Sequence, residues 1–234
     1  MRSRPSSLLP RLRRRGAGAA PGFTLVEILI ATTLLSVMTV AMLGLFINLM
    51  KSYKYNTFRL SINKDVRTFT NELSDTATYA NYFVILANFS TRTTGAVGSE
   101  VLAYLADGES GDCVLFVFKD PANDSKIRRI VGYYHDPDAT GSGPVRRFAT
   151  NFSPTVTGSS LWTLLPATST LPTNDDIISA GTIGKANGTS TTDKLFYNFF
   201  NRSVMVKGQI TYTSNDGLTR RAVSTYNFTV SPRG

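Results

Sequence analysis

The hydrophobic pattern divides the chain near its first fifth. Residues 23–50 are almost wholly apolar, and residues 28–50 form a run of 23 without a charge. At about 1.5 Å per residue this run makes a helix of roughly 35 Å, enough for a hydrocarbon core of about 30 Å. Polar positions return after Met50, but Tyr55, Phe58, Ile62, Val66, Phe69, Leu73 and Ala77 recur at steps of three and four. That spacing predicts an amphipathic helix, with Lys54, Arg59, Lys64, Arg67 and Asn71 on its other side. No proline occurs from Phe23 to Asp120. One helix is therefore expected from Phe23 to about Ala80, close to 90 Å long if unbroken. Gly44 lies mid-helix and weakens a helix less than proline does, so the pattern leaves open whether the helix melts there.

Beyond residue 84 the pattern becomes short β-rich runs bounded by Gly, Pro, Asn, Asp and Ser. Strands are expected at 100–105, 113–119, 127–135, 146–148, 161–165, 195–200, 203–214 and 220–230. Asn215, Asp216 and Gly217 are a hairpin-turn signal between the last two. Residues 90–99, 136–144 and 186–193 read as polar loops. The expected fold class is α+β: a long N-terminal helix, transmembrane then amphipathic, packed on one face of an antiparallel β-sheet head. The divisions are 1–22 a basic leader, 23–50 the transmembrane half of the helix, 51–82 its amphipathic half, and 83–234 the head.

Composition sharpens this. Of 234 residues, Lys and Arg number 25 against 16 Asp and Glu. Six of the arginines (Arg2, Arg4, Arg11, Arg13, Arg14, Arg15) lie in residues 1–22, which hold no acid, so residues 23–234 carry 19 basic and 16 acidic residues. The net charge describes the leader more than the protein, and gives little support to nucleic-acid binding. One cysteine excludes an internal disulfide, a four-thiolate zinc site and a CxxC pair, and one histidine excludes a site needing two. The arginine-rich segment before the apolar run reads as a cytoplasmic flank, which sends the C-terminal part outward.

Glu27 stands alone in the apolar run. A lone carboxylate in lipid costs several kcal/mol unless it is paired or snorkels, so an ordinary anchor would not place it there. A Sec signal would have a shorter apolar region followed by an A-x-A site. The segment PGFTLVEILIATTLLSVM, residues 21–38, resembles the processing and transmembrane signature of type IV pilins and type II secretion pseudopilins, through Gly22-Phe23-Thr24-Leu25-Val26-Glu27. The resemblance implies cleavage by a prepilin peptidase after Gly22, N-methylation of Phe23, and assembly through Glu27, which would neutralise the new Phe23 amine in its own chain or a neighbouring subunit. It also implies other pilins or pseudopilins, an inner-membrane platform protein and membrane lipid as partners. The order CVLFVF, KIRRIVGYYH, a Trp-containing strand and a closing hairpin ending VSPRG resembles minor pilins and J-like minor pseudopilins.

The head offers little catalytic chemistry, and a non-enzymatic protein without a cofactor is expected. Ser110 lies in GESGD, with Asp112 where G-x-S-x-G needs glycine. His135 at a strand end reads as a polar edge residue, and Cys113 as a small buried hydrophobe. Asp136, Asp138 and Thr140 match the first half of a calcium loop, but Arg147 falls where the bidentate glutamate belongs, so they read as a solvated turn. Asp175 and Asp176 read as loop. The pairs Arg128-Arg129, Arg146-Arg147 and Arg220-Arg221 should each place one arginine on either sheet face. No regular aromatic interleaving accompanies them, so nucleic acid is not an expected partner. The remaining alternative is a pilin-anchored module binding DNA or a surface ligand.

Overall fold

The computed structural model describes residues 22–94, 101–157, 161–167, 176–185, 193–212 and 222–233. The chain divides into two compact units, Met1–Leu49 and Met50–Gly234. Helix α1, Leu25–Tyr79, contains 55 residues and passes through Gly44 without a break.

In the first unit every described residue is exposed, including Phe23, Leu25, Leu34, Val40 and Phe46. This helix is long and apolar enough to cross a membrane, with a mean hydropathy of 2.2 over its best window. Its hydroxyl groups are satisfied within the helix. Thr32 donates to the Leu29 carbonyl at 3.0 Å, Thr33 to Ile30 at 2.8 Å, Ser36 to Thr32 at 2.8 Å and Thr39 to Leu35 at 2.8 Å. Such back-bonding removes the cost of carrying hydroxyls into a medium without water.

In the second unit the remainder of α1 presents its stripe to a sheet. Ile62, Phe69, Leu73 and Ala77 are buried, and Tyr55, Phe58 and Val66 pack at the margin. Asn81 closes the helix onto the sheet: its N–H donates to the Val117 carbonyl at 2.9 Å and its Oδ1 accepts from Lys119 N–H at 2.7 Å.

Eleven strands are described. They are β1 Tyr82–Leu86, β2 Thr93–Thr94, β3 Val101–Leu102, β4 Ser110–Gly111, β5 Cys113–Asp120, β6 Asn123–His135, β7 Gly143–Thr157, β8 Asp176–Gly184, β9 Phe196–Phe199, β10 Ser203–Tyr212 and β11 Ala222–Val230. Nine form one antiparallel sheet in the order β1-β5-β6-β7-β8-β10-β9-β4, with β11 along the other edge of β10. β2 and β3 make a separate ribbon.

β5 is buried on both faces. Val114, Phe116 and Phe118 of β5 face α1, whereas Cys113, Leu115 and Val117 enter a second core with Leu86, Phe89, Phe148 and Leu161. That explains the unbroken apolar run CVLFVF, since a strand covered on both sides has no polar face.

Several sequence expectations change. Residues 161–165 are not a strand: Leu161–Leu164 is a 3-10 helix, whose leucines pack with Trp162 against the second core. Strand 100–105 shrinks to Val101–Leu102, and 146–148 lengthens to Gly143–Thr157. β2 falls in the expected 90–99 loop. β8, with Ala180 and two glycines in DIISAGTIG, carries weak strand propensity and is held by its neighbours β7 and β10. It begins at Asp176, which was expected in a loop. The turn at Asn215, Asp216 and Gly217, the pair Arg220-Arg221, Asp175 and residues 186–192 lie outside the described residues.

Candidate functional site

The chain enters α1 through a reciprocal cap. Thr24 precedes the first helical residue, and Glu27 follows it by three, the spacing of a capping box. Thr24 N–H donates to Glu27 Oε2 at 2.8 Å, and the Thr24 hydroxyl donates to the same oxygen at 3.0 Å. Glu27 N–H donates back to Thr24 Oγ1 at 3.2 Å. The first intrahelical bond then runs from Ile28 N–H to the Thr24 carbonyl at 3.2 Å. Thr24 was not singled out in the sequence, although T-x-x-E before an apolar run announces this motif.

Phe23, Glu27, Ala31 and Leu35 lie along one i, i+4 row, with Ile28 and Thr32 beside it. Together they line a groove of 360 Å³. Small side chains at Ala31 and Thr32 leave the dip, and Glu27 is its one charged group. Phe23 is 84% exposed. A Cβ built on Gly22 meets no heavy atom within 4 Å. Packing among the described residues therefore does not require glycine at that position.

In the head, Asp112 gathers three segments. Its Oδ2 accepts from Lys194 Nζ at 2.5 Å, its Oδ1 from Leu195 N–H at 3.3 Å, and its carbonyl from His135 N–H at 2.8 Å. His135 Nε2 lies 2.9 Å from the Thr182 carbonyl and Nδ1 lies 3.5 Å from Asp112 Oδ1. A carbonyl only accepts, so Nε2 carries the proton. Burial raises the Asp112 pKa, but the neighbouring His135 imidazole and the hydrogen bond and charge of Lys194 outweigh it and leave the carboxyl below its ordinary value. His135 is thus a buried cross-link and not the polar edge residue that its strand-end position implied. Its imidazole is committed to Thr182. Ser110 starts β4, opposite Tyr197. Cys113 is fully buried and its thiol is pushed up by burial, as befits a small core residue.

The calcium candidates sit in the β6–β7 turn. Asp138 Oδ1 accepts from Thr140 N–H at 2.7 Å, the Thr140 hydroxyl at 2.6 Å and Ser142 N–H at 3.2 Å, an Asx turn. Asp136 Oδ2 accepts from Arg146 Nη1 at 2.6 Å, and Arg146 Nε reaches Asp176 at 2.9 Å. The cation facing these carboxylates is Arg146. Among the described residues no three His, Cys, Asp or Glu side chains gather to hold a metal.

Arg146 and Arg147 do face opposite sides, Arg147 Nε meeting Glu72 of α1 at 2.9 Å. Arg128 and Arg129 do not: both line one cleft. Comparison with known proteins finds no matching family model, no similar curated protein and no similar solved structure.

Proposed function

We propose that the chain is a structural subunit, a minor pilin or pseudopilin, of a type IV pilus or type II secretion filament. The observation that carries this reading is one carboxylate, Glu27, in the first turn of an otherwise apolar, exposed helix, just after a glycine that packing does not require. A glycine free of internal duties suits recognition from outside, here by a prepilin peptidase cutting the Gly22–Phe23 bond. The capping box survives that cut, because Thr24 keeps its amide N–H. The mature Phe23 amine, N-methylated, would then lie at the mouth of the groove that Glu27 enters.

In this reading the leader stays cytoplasmic, the helix spans the inner membrane, and the head lies in the periplasm or outside the cell. Apolar helix surface leaves lipid for other pilins or pseudopilins, helped by a platform protein. Glu27 of one copy pairs with the Phe23 amine of its own or the next copy, which sets register because either charge alone is costly in a low dielectric. Intact-mass measurement on the protein from its native membrane tests this. The expected mass lacks residues 1–22 and carries one methyl at Phe23; an intact Met1 or Arg2 terminus in mature filaments overturns it.

A further inference from the structure

Ile127 and Ile130 of β6 both enter the second core, which strict alternation over three positions forbids. An extra residue resolves this. Ile127 pairs with Lys119 and Val156, and the next paired residue is Arg129, opposite Phe118 and Asn151. Against β5, Arg128 is therefore the extra residue of β6; against β7 the excess lies on β7, whose residues 152–155 face Arg128 alone. A bulge re-aims side chains. Here it brings Arg128 and Arg129 into the same cleft, of 630 Å³, with Asp75, Tyr79, Phe118 and Phe152.

The cleft holds two guanidinium groups and one carboxylate, Asp75. The Arg129 guanidinium lies 5.6 Å from the Phe118 ring centroid, and its Nε is buried without a hydrogen-bond partner among the described residues. Buried donors on a cation are costly when unmet, and most have a partner. Arg128 is exposed, and Tyr79 is 77% exposed. Asp120 feels the charge of Arg128, but its carboxylate already accepts from Ala122 N–H and the Thr155 hydroxyl, each at 3.0 Å.

We infer that this cleft binds an acidic peptide segment of a partner protein. Guanidinium forks match carboxylates in bidentate geometry. Phe118, Phe152 and Tyr79 provide apolar walls for the side chains between the acids. Asp75 can accept a backbone N–H of a peptide, a donor that a phosphate backbone lacks, so the cleft favours peptide over nucleic acid. The volume suits a short segment, since ligand pockets run from about 300 to 1,000 Å³. This binding does not depend on cleavage at Gly22 or on Glu27.

The test uses the full chain in a nonionic maltoside detergent and a fluorescein-labelled peptide EFEEFEG, read by fluorescence anisotropy. Its counterpart with lysine for glutamate and a labelled deoxythymidine dodecamer serve as comparisons. The acidic peptide should bind saturably and the lysine peptide should not. Arg128→Glu and Arg129→Gln should each raise Kd about tenfold or more, while Arg202→Ala, outside the cleft, should not. Arg128 is exposed, so Arg128→Glu keeps the head folded, as circular dichroism will check. Absence of saturable binding, binding that both cleft variants retain, or displacement of the peptide by the dodecamer each overturns the inference.

Discussion

Glu27 has two jobs that substitution can separate. It caps α1 through Thr24, and it carries the lone charge of the apolar run. Gln accepts at this capping position as Glu does, so Glu27→Gln keeps the box and removes the charge. Glu27→Ala removes both, at a cost on the order of 1 kcal/mol for the cap. If charge pairing drives assembly, both variants should be inserted and cleaved yet scarce in sheared filaments. If only the Ala variant is scarce, helix capping is the requirement and the pairing model fails. Asp112 makes a separate, pH-dependent contribution. Unfolded, its carboxyl has the ordinary pKa of 3.8; folded, it lies lower. A depressed carboxyl adds stability above the unfolded value and loses it as pH falls through the folded value. Asp112→Asn should therefore cost roughly 1–3 kcal/mol at neutral pH. That gap should narrow once pH falls below 3.8, as urea midpoints across pH will show.

At the scale of elements, the stripe on α1 is the joint between helix and sheet. Phe69 is fully buried and meets Tyr133, Tyr226 and Phe228 edge-on, with ring centroids 5.6–6.2 Å apart. Phe58 stacks on Tyr212 at 5.1 Å. Tyr133 bonds Thr76 at 2.8 Å, and burial pushes its hydroxyl up to about 12 against that bond and the pull of Arg147. Phe69→Ala should destabilise the head by about 3–5 kcal/mol. Leu60→Ala, on the exposed side of the same helix, should stay within about 0.5 kcal/mol. Near-UV circular dichroism during thermal unfolding will follow the aromatic cluster; equal losses in the two variants would contradict the packing described. β6 and β7 crowd closely enough that a Cβ at Gly132 would come within 2.2 Å of the Phe148 ring, itself buried.

For the whole molecule, the two units differ in the surface they leave exposed. The described residues of the first bury none of their side chains, and its helix is apolar and long enough to cross a membrane. The second buries one sheet face under α1 and part of the other, from β1, β5, β6 and β7, in a second core. Under the proposed function, passage from membrane to filament exchanges the surroundings of the first unit alone, and the leader decides when. Gly22→Val places a branched side chain at the scissile position without disturbing packing, since that position is open. The variant should accumulate in the membrane at full length, with its six leader arginines, and stay out of filaments. Normal cleavage of this variant, read by intact mass, would show that glycine is not what the peptidase recognises.

The helical stripe was legible in the sequence because its period is local: all seven positions from Tyr55 to Ala77 pack against the head. The strong strands 113–119, 127–135 and, as far as Tyr212, 203–214 were legible for the same reason, as was the apolar run with its single carboxylate. What tertiary structure decided depends on neighbours distant in sequence. β8 is a strand because β7 and β10 flank it, despite its own weak propensity. Leu161–Leu164 coils because its leucines must reach a second core that no local pattern announces. His135 is buried because Asp112, Thr182 and Lys194 converge from three other segments. Arg128 and Arg129 share a cleft because β6 gains a residue against β5, while β7 gains residues against β6 at the same place. A two-residue period assumes unbroken pairing, and only the paired strands reveal where pairing slips.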